Sequence, residues 1–164
     1  MTRNRPVLLA GLMLATMIMG ACSGASAAKS PAQGGAGNAG QVAVRSAVIV
    51  LGPTGSSAAT LVLTLVNSAS QTDLLSGIEV SAPHPTSTFI SGGSLAIAPN
   101  QAIPVGHSGE NHINLYGFYP TPSQIVPVTF VFRDHGRSTV SLKVVTATGV
   151  YAGIVPVPLT APAS

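Results

Sequence analysis

The residues best suited to chemistry lie in one short stretch, GHSGENHINLYGF, at positions 106–118. It contains two histidines, a glutamate and two asparagines, whereas only 7% of the whole chain is charged. Histidine is the commonest metal ligand among side chains. On an extended strand, His112 and Asn114 point to one face, and Glu110 can join them from the start of the strand. His107 precedes His112 by five residues, so only a turn between them can bring the two rings together.

Two interpretations of this stretch stay open. The first is a nitrogen-and-oxygen site for Cu(II) or Zn(II) formed by His107, Glu110 and His112, with Asn114 as a further candidate. The second is that these residues are only the polar end of a strand.

An enzyme is the weaker hypothesis, because no residues are paired for nucleophilic or acid–base catalysis. No Gly-x-Ser-x-Gly stretch marks a strand-to-helix turn. Residues 52–60, GPTGSSAAT, resemble a phosphate loop but lack its lysine and its helix, so we interpret them as a hairpin loop. His84, between two prolines, and His135, in a predicted turn, are interpreted as surface histidines. The acids are scattered: Asp73, Glu79, Glu110 and Asp134.

The elements that must position these residues are short strands. From residue 41 onward, runs rich in Val, Ile, Leu and Thr are separated by Gly, Pro, Asn and Ser, which is the pattern of strands and turns. The predicted strands are 41–51, 59–67, 73–80, 87–91, 94–98, 101–105, 111–118, 126–133 and 138–145, with a further one at 149–157. Residues 61–66 and 140–145 alternate as a sheet with one buried face does, and residues 132–138 predict a hairpin turn. This pattern predicts an all-β, antiparallel Greek-key β-sandwich.

The N-terminus has the layout of an export signal: Arg3 and Arg5 precede an uncharged apolar run at 7–19. The residues that follow, Met19-Gly20-Ala21-Cys22, are similar to the bacterial lipobox, in which the cysteine is lipidated. An ordinary secretory signal cut near ASAA is the alternative. We predict a signal peptide at 1–21, a lipidated Cys22 with a flexible Gly/Ala/Ser tether at 22–40, a single domain at 41–158 and a frayed tail at 159–164.

The composition of the chain limits the classes of partner that it could bind. Without Arg3 and Arg5, five basic residues face four acidic ones, so the chain lacks the basic surface that nucleic-acid binding requires. Cys22 is the only cysteine, which leaves no thiol for a disulfide or a zinc cluster. We expect an extracytoplasmic monomer attached to the membrane through lipid on Cys22, with an envelope protein or lipid as its partner.

The order of several segments resembles the periplasmic copper chaperone family of PCuAC type and its actinobacterial lipoprotein relatives. The resemblance covers roughly residues 43–145. It is carried by AATLVLTLVNSASQTDLLSGIEVSAP at 58–83, IAPNQAIPV at 97–105, HINLYGF at 112–118 and VTFVFRDHGRSTVSL at 128–142. The resemblance implies a cupredoxin-like β-sandwich, which agrees with the strand pattern; an immunoglobulin-like sandwich has the same class of architecture.

The family holds Cu(I) with a histidine and a methionine from one segment and a His-x-Met pair from a later strand. The later pair corresponds to His112-Ile113-Asn114, in which asparagine replaces methionine. The earlier segment, 81–99, has no methionine, and His84 lies several residues before the family position. The resemblance therefore transfers at most one ligand, His112. Two functions follow: a non-catalytic envelope module that keeps the sandwich, or a copper chaperone that uses histidines instead of sulfur.

Overall fold

A computed structural model of the chain describes residues 34–82, 86–107 and 110–157. The predicted signal peptide, Cys22, His84 and the predicted frayed tail lie outside these residues. The described part consists of strands joined by turns and two 3₁₀ turns, Ser91–Gly93 and Gly149–Tyr151. The strands are β1 (Gly35–Ala39), β2 (Val42–Leu51), β3 (Ala58–Asn67), β4 (Asp73–Val80), β5 (Ser87–Ile90), β6 (Leu95–Ile97), β7 (Ala102–Val105), β8 (Ile113–Tyr116), β9 (Ile125–Phe132) and β10 (Gly136–Val145).

The strands form one sheet in the order β5-β8-β3-β2-β10-β9-β4-β6, with β1 added on β2 and β7 on β3. Neighbours that are distant in sequence give Greek-key crossovers, so the predicted all-β fold is confirmed. One detail differs: β10 pairs with β2 in parallel, over residues 143–145 and 48–50. The sheet curls into a nearly closed barrel, in which Thr88 of β5 donates its hydroxyl to the carbonyl of Ile78 in β4 at 3.3 Å.

The interior of the barrel is the main core. The alternation predicted for β10 is confirmed, since Val140, Leu142 and Val144 are buried in it and Ser141 and Lys143 are exposed. In β3, Leu61, Leu63 and Leu65 are buried in the core as predicted, but Val62 on the opposite face is buried as well. Phe130 is fully buried at the centre of this core. The predicted hairpin turn is also confirmed, with Gly136 at φ +80° where β10 begins beside Phe132.

Strand β1 corrects the predicted start of the domain. Residues 35–39 fall in the stretch predicted as tether, but they pair antiparallel with β2. They also pass close to β10. A Cβ on Gly37 would lie 2.7 Å from the hydroxyl of Ser138, and one on Gly35 would lie 2.7 Å from the carbonyl oxygen of Ser141. The glycines that suggested a linker are therefore what allows this strand to fit.

The strand predicted at 149–157 is wrong. This stretch begins with the 3₁₀ turn Gly149–Tyr151 and continues without regular structure. It lies on the outer face of the sheet, where Tyr151 packs with Val48, Val50 and Val62 in a second, smaller hydrophobic cluster. We call residues 147–157 the strap.

Candidate functional site

His107 and His112 line the same groove on the outer face of the barrel. The groove has a volume of about 490 Å³, and its opposite wall is formed by the strap, including Val150, Val155 and Val157. Two histidines and several apolar residues of the strap therefore share one groove. The sequence allowed these histidines to meet only through a turn, and the structure places both on the lining of one groove.

The turn that joins the two histidines is closed by the backbone. The N–H of Gly106 donates to the carbonyl of Asn111 at 2.9 Å. Gly106 has φ +81°, and a Cβ on it would lie 2.2 Å from the carbonyl oxygen of Leu61. A larger residue cannot occupy this position without moving away from β3, so the backbone that leads into His107 requires glycine here.

The backbone of His112 is fixed from the other side by Ser91. The N–H of His112 donates to the Ser91 hydroxyl at 3.0 Å, and the N–H of Ser91 donates to the His112 carbonyl at 2.9 Å. His112 is half-buried and directly precedes β8. The one ligand position that the family resemblance transfers is therefore rigidly held at the edge of the groove.

Asn114, a candidate ligand in the predicted metal set, is buried between strands and is not among the described residues that line the groove. Its side chain is fully buried, and its Oδ1 accepts a hydrogen bond from the Thr60 hydroxyl at 3.0 Å. Thr60, Asn114 and Phe89 are cross-strand partners on β3, β8 and β5. Within the described residues, the Nδ2 of Asn114 is buried without a hydrogen-bond partner. The Asn114 amide is thus used to link β3 and β8 in the interior of the fold.

Glu110 is exposed and is absent from the described residues that line the groove. Over residues 34–82, 86–107 and 110–157, no group of three or more His, Cys, Asp or Glu side chains could hold a metal ion. What remains of the predicted metal set is the pair His107 and His112, which is two ligands fewer than a tetrahedral zinc site requires.

The strap is held against the sheet mainly by side chains. Tyr151 is buried, and burial raises the pKa of its hydroxyl above the ordinary value. The Tyr116 hydroxyl donates to the carbonyl of Val157. A Cβ on Gly52 would lie 3.2 Å from Pro156 Cγ, so Pro156 packs over Gly52.

Asp73 and His135 form a second polar cluster, which the sequence pattern did not indicate. The fully buried carboxylate of Asp73 lies 2.8 Å from the Nδ1 of His135. It also accepts the N–H of Leu74 at 2.7 Å and the N–H of Asp134 at 3.0 Å. Burial alone would raise the pKa of Asp73, but the hydrogen bonds from His135, Asp134 and Leu74 outweigh burial and hold its pKa below the ordinary value. His135 was interpreted as a surface histidine, and it is instead a clamp between the β9–β10 turn and β4.

Comparisons with known proteins define the fold. No protein-family model and no curated protein matches the chain. The structure is similar to the copper-bound PCuAC domain from PmoF2, with a TM-score of 0.58 and 20% identity over 66% of this chain and 96% of that domain. It is also similar to the apo PCuAC domain of PmoF2, with a TM-score of 0.59 and 17% identity over 74% of this chain and 99% of that domain.

A third similar structure is the apo PCuAC domain from PmoF1, with a TM-score of 0.59 and 17% identity over 66% of this chain and 97% of that domain. These three likenesses show that the chain has the PCuAC-type fold, as its segment order suggested. Within the described residues, no helix is long and apolar enough to cross a membrane.

Proposed function

We propose that this chain is a non-catalytic module of the bacterial cell envelope, attached to the membrane through lipid on Cys22, that uses a copper-chaperone-like barrel to bind an envelope protein or lipid. The observation that carries the proposal is the state of Asn114. It occupies the position of a sulfur ligand in the family pattern, yet it is buried and bonded to Thr60. A Cu(I) site needs soft sulfur or nitrogen ligands. Here the residue at one ligand position forms a structural hydrogen bond instead.

The binding surface of this module is the groove between His107, His112 and the strap. Its apolar wall includes the exposed Val155 and Val157. Exposed apolar side chains beside polar rings are typical of surfaces that bind a partner.

Site-directed photo-crosslinking in cells tests this surface. A benzophenone side chain at Val155, which is 59% exposed on the groove, should give a discrete adduct. The same probe at Ile125, which is 60% exposed but outside the groove, is the matched control. Equal adduct patterns at both positions would contradict a binding groove.

A second candidate function is a metal carrier, and the shared groove of His107 and His112 favours it. Two imidazoles can bind Cu(II) or Cu(I) with modest affinity. The remaining coordination positions of the ion would be filled by ligands that arrive with it. Copper is then cargo, and the groove is where it would be transferred.

Copper titration of the protein from residue 23 onward separates the two functions, because every described residue lies within it. The carrier requires one-to-one binding of Cu(I), under reducing conditions, or of Cu(II), with loss in His112→Ala and His107→Ala. His135→Ala removes a histidine outside the groove and is the control. The module predicts no difference among these three variants.

A further inference from the structure

The strap is attached to the barrel differently from the strands beneath it. Four backbone N–H groups along it donate to carbonyls of the strap itself or of the residue just before it. These bonds are Thr148 to Thr146 at 2.8 Å, and Tyr151 to Thr148, Ala152 to Gly149 and Ile154 to Tyr151 at 3.2 Å each. The strap contacts the barrel through the side chains of Tyr151, Ile154 and Pro156 and through the hydroxyl of Tyr116. Lifting the strap therefore breaks none of the ladder bonds of the sheet.

On either side of Asn114, His112 lines the groove together with the strap and the Tyr116 hydroxyl donates to the carbonyl of Val157. Asn114 and Thr60 are buried on the outer face, in the row of β8 and β3 residues next to Val62, which Tyr151 covers. The Nδ2 of Asn114 has no acceptor among the described residues. An unpaired buried donor disfavours the closed state, because water would satisfy the amide when the strap is lifted.

We propose that residues 147–157 open from the sheet as a unit while the barrel stays folded, and that this opening gates access to the His112–Asn114 edge of β8. The gating role rests on the proposed function, in which the groove is the binding surface. The opening of the strap does not depend on it. Parts of a protein that are held by few contacts and bury few apolar groups open locally at lower free energy than the whole domain unfolds. The strap has the first property, since among the described residues four of its backbone N–H groups bond within it or to Thr146, although it covers Val48, Val50 and Val62.

Thiol labelling tests the opening directly. The protein from residue 23 onward has no cysteine, since Cys22 is the only one in the chain. Val62→Cys places a thiol under the strap, where the native side chain is 2% exposed, and Val128→Cys places one in the main core, where it is 0% exposed. With Ellman's reagent under native conditions, the thiol at position 62 should react at least about tenfold faster than that at 128.

Two changes move the rate in opposite directions. Tyr116→Phe removes the hydroxyl that holds Val157 and should speed labelling at position 62 about fivefold, without changing it at 128. The pair Thr60→Val with Asn114→Leu replaces both polar groups by apolar ones of similar shape and should slow labelling at 62 about threefold.

Equal labelling rates at 62 and 128, within about twofold, would mean that the strap leaves only when the domain unfolds, and would overturn the proposal. Faster labelling in the Thr60→Val, Asn114→Leu protein would overturn the part assigned to Asn114. Neither rate depends on whether copper or a partner binds, so a failure of the proposed function leaves this test unaffected.

Discussion

Replacing Asp73 with alanine should destabilise the domain strongly, because three donors lose one buried acceptor. The N–H groups of Leu74 and Asp134 and the Nδ1 of His135 all lie within 3.0 Å of its carboxylate. A buried donor that loses its partner costs about 1–3 kcal/mol. Because all three hydrogen bonds are only part-buried, we count each donor at the low end and expect a total loss of about 3 kcal/mol.

The matched variants divide this loss into its parts. Asp73→Asn keeps one acceptor oxygen and should cost less than Asp73→Ala, while His135→Ala should cost about 1.5–3 kcal/mol, as for a hydrogen bond to a charged group. Asp134→Asn removes a half-exposed carboxylate paired with Arg133 and should cost at most about 1 kcal/mol.

The dependence on pH has a defined sign. The pKa of Asp73 is lower in the folded protein than its unfolded value near 3.8, so the folded state favours the charged carboxylate. This stabilisation is fully present above the unfolded pKa and is lost as the pH falls through the lower, folded pKa. The difference in stability between the wild type and Asp73→Asn should therefore shrink as the pH falls below about 4.

Urea unfolding followed by far-ultraviolet circular dichroism measures each of these free energies. The reasoning would be refuted by a loss in Asp73→Ala of less than about 1 kcal/mol. It would equally be refuted if the losses of Asp73→Ala and His135→Ala were additive within about 0.5 kcal/mol, since contacting residues should show coupling.

Three further predictions follow from other positions. Asn114→Met restores the sulfur of the family's His-x-Met pair and should raise Cu(I) affinity in a competition titration, whereas Asn114→Leu should not; equal affinities would separate the site from the family pattern. Gly106→Ala forces a Cβ to 2.2 Å from the carbonyl of Leu61 and should lower stability by about 3 kcal/mol or more, against about 1 kcal/mol for Gly92→Ala, which has positive φ but open space; thermal melts giving similar losses would contradict the close approach. Cys22→Ala should move the protein from the membrane fraction to the medium, because a doubly acylated cysteine supplies the two chains that stable attachment needs; retention in the membrane fraction would exclude lipid on this residue as the anchor.

Much of the barrel was predictable because its strands carry their own signal. Buried and exposed positions alternate along β10, and a Pro- and Gly-rich loop separates β2 from β3. Strand β1 carries no such signal, since its glycines and alanines have almost no side-chain pattern. It exists because small residues fit between β2 and β10, which is a property of the assembled barrel.

The candidate site likewise has one part that the sequence could predict and others that depend on the assembled barrel. The link between His107 and His112 is local, and the sequence allowed it through a turn. The burial of Asn114 depends on its place between Thr60 of β3 and Phe89 of β5, which are distant from it in the sequence. The clamp of Asp73 on His135 joins residues that are 62 positions apart, so inspection of neighbouring residues could not reveal it.

The position of β1 at the start of the described chain has a mechanical consequence. With lipid on Cys22, any tension between the membrane and a partner bound at the groove enters the domain through Gly34 and is borne first by the pairing of β1 with β2. A strand of Gly and Ala offers few side-chain contacts to resist that load. Peeling residues 35–39 would release about 15–20 Å of extra chain while the main core stays assembled. The first strand would then behave as a yielding link that lets the anchored domain reach farther before it unfolds.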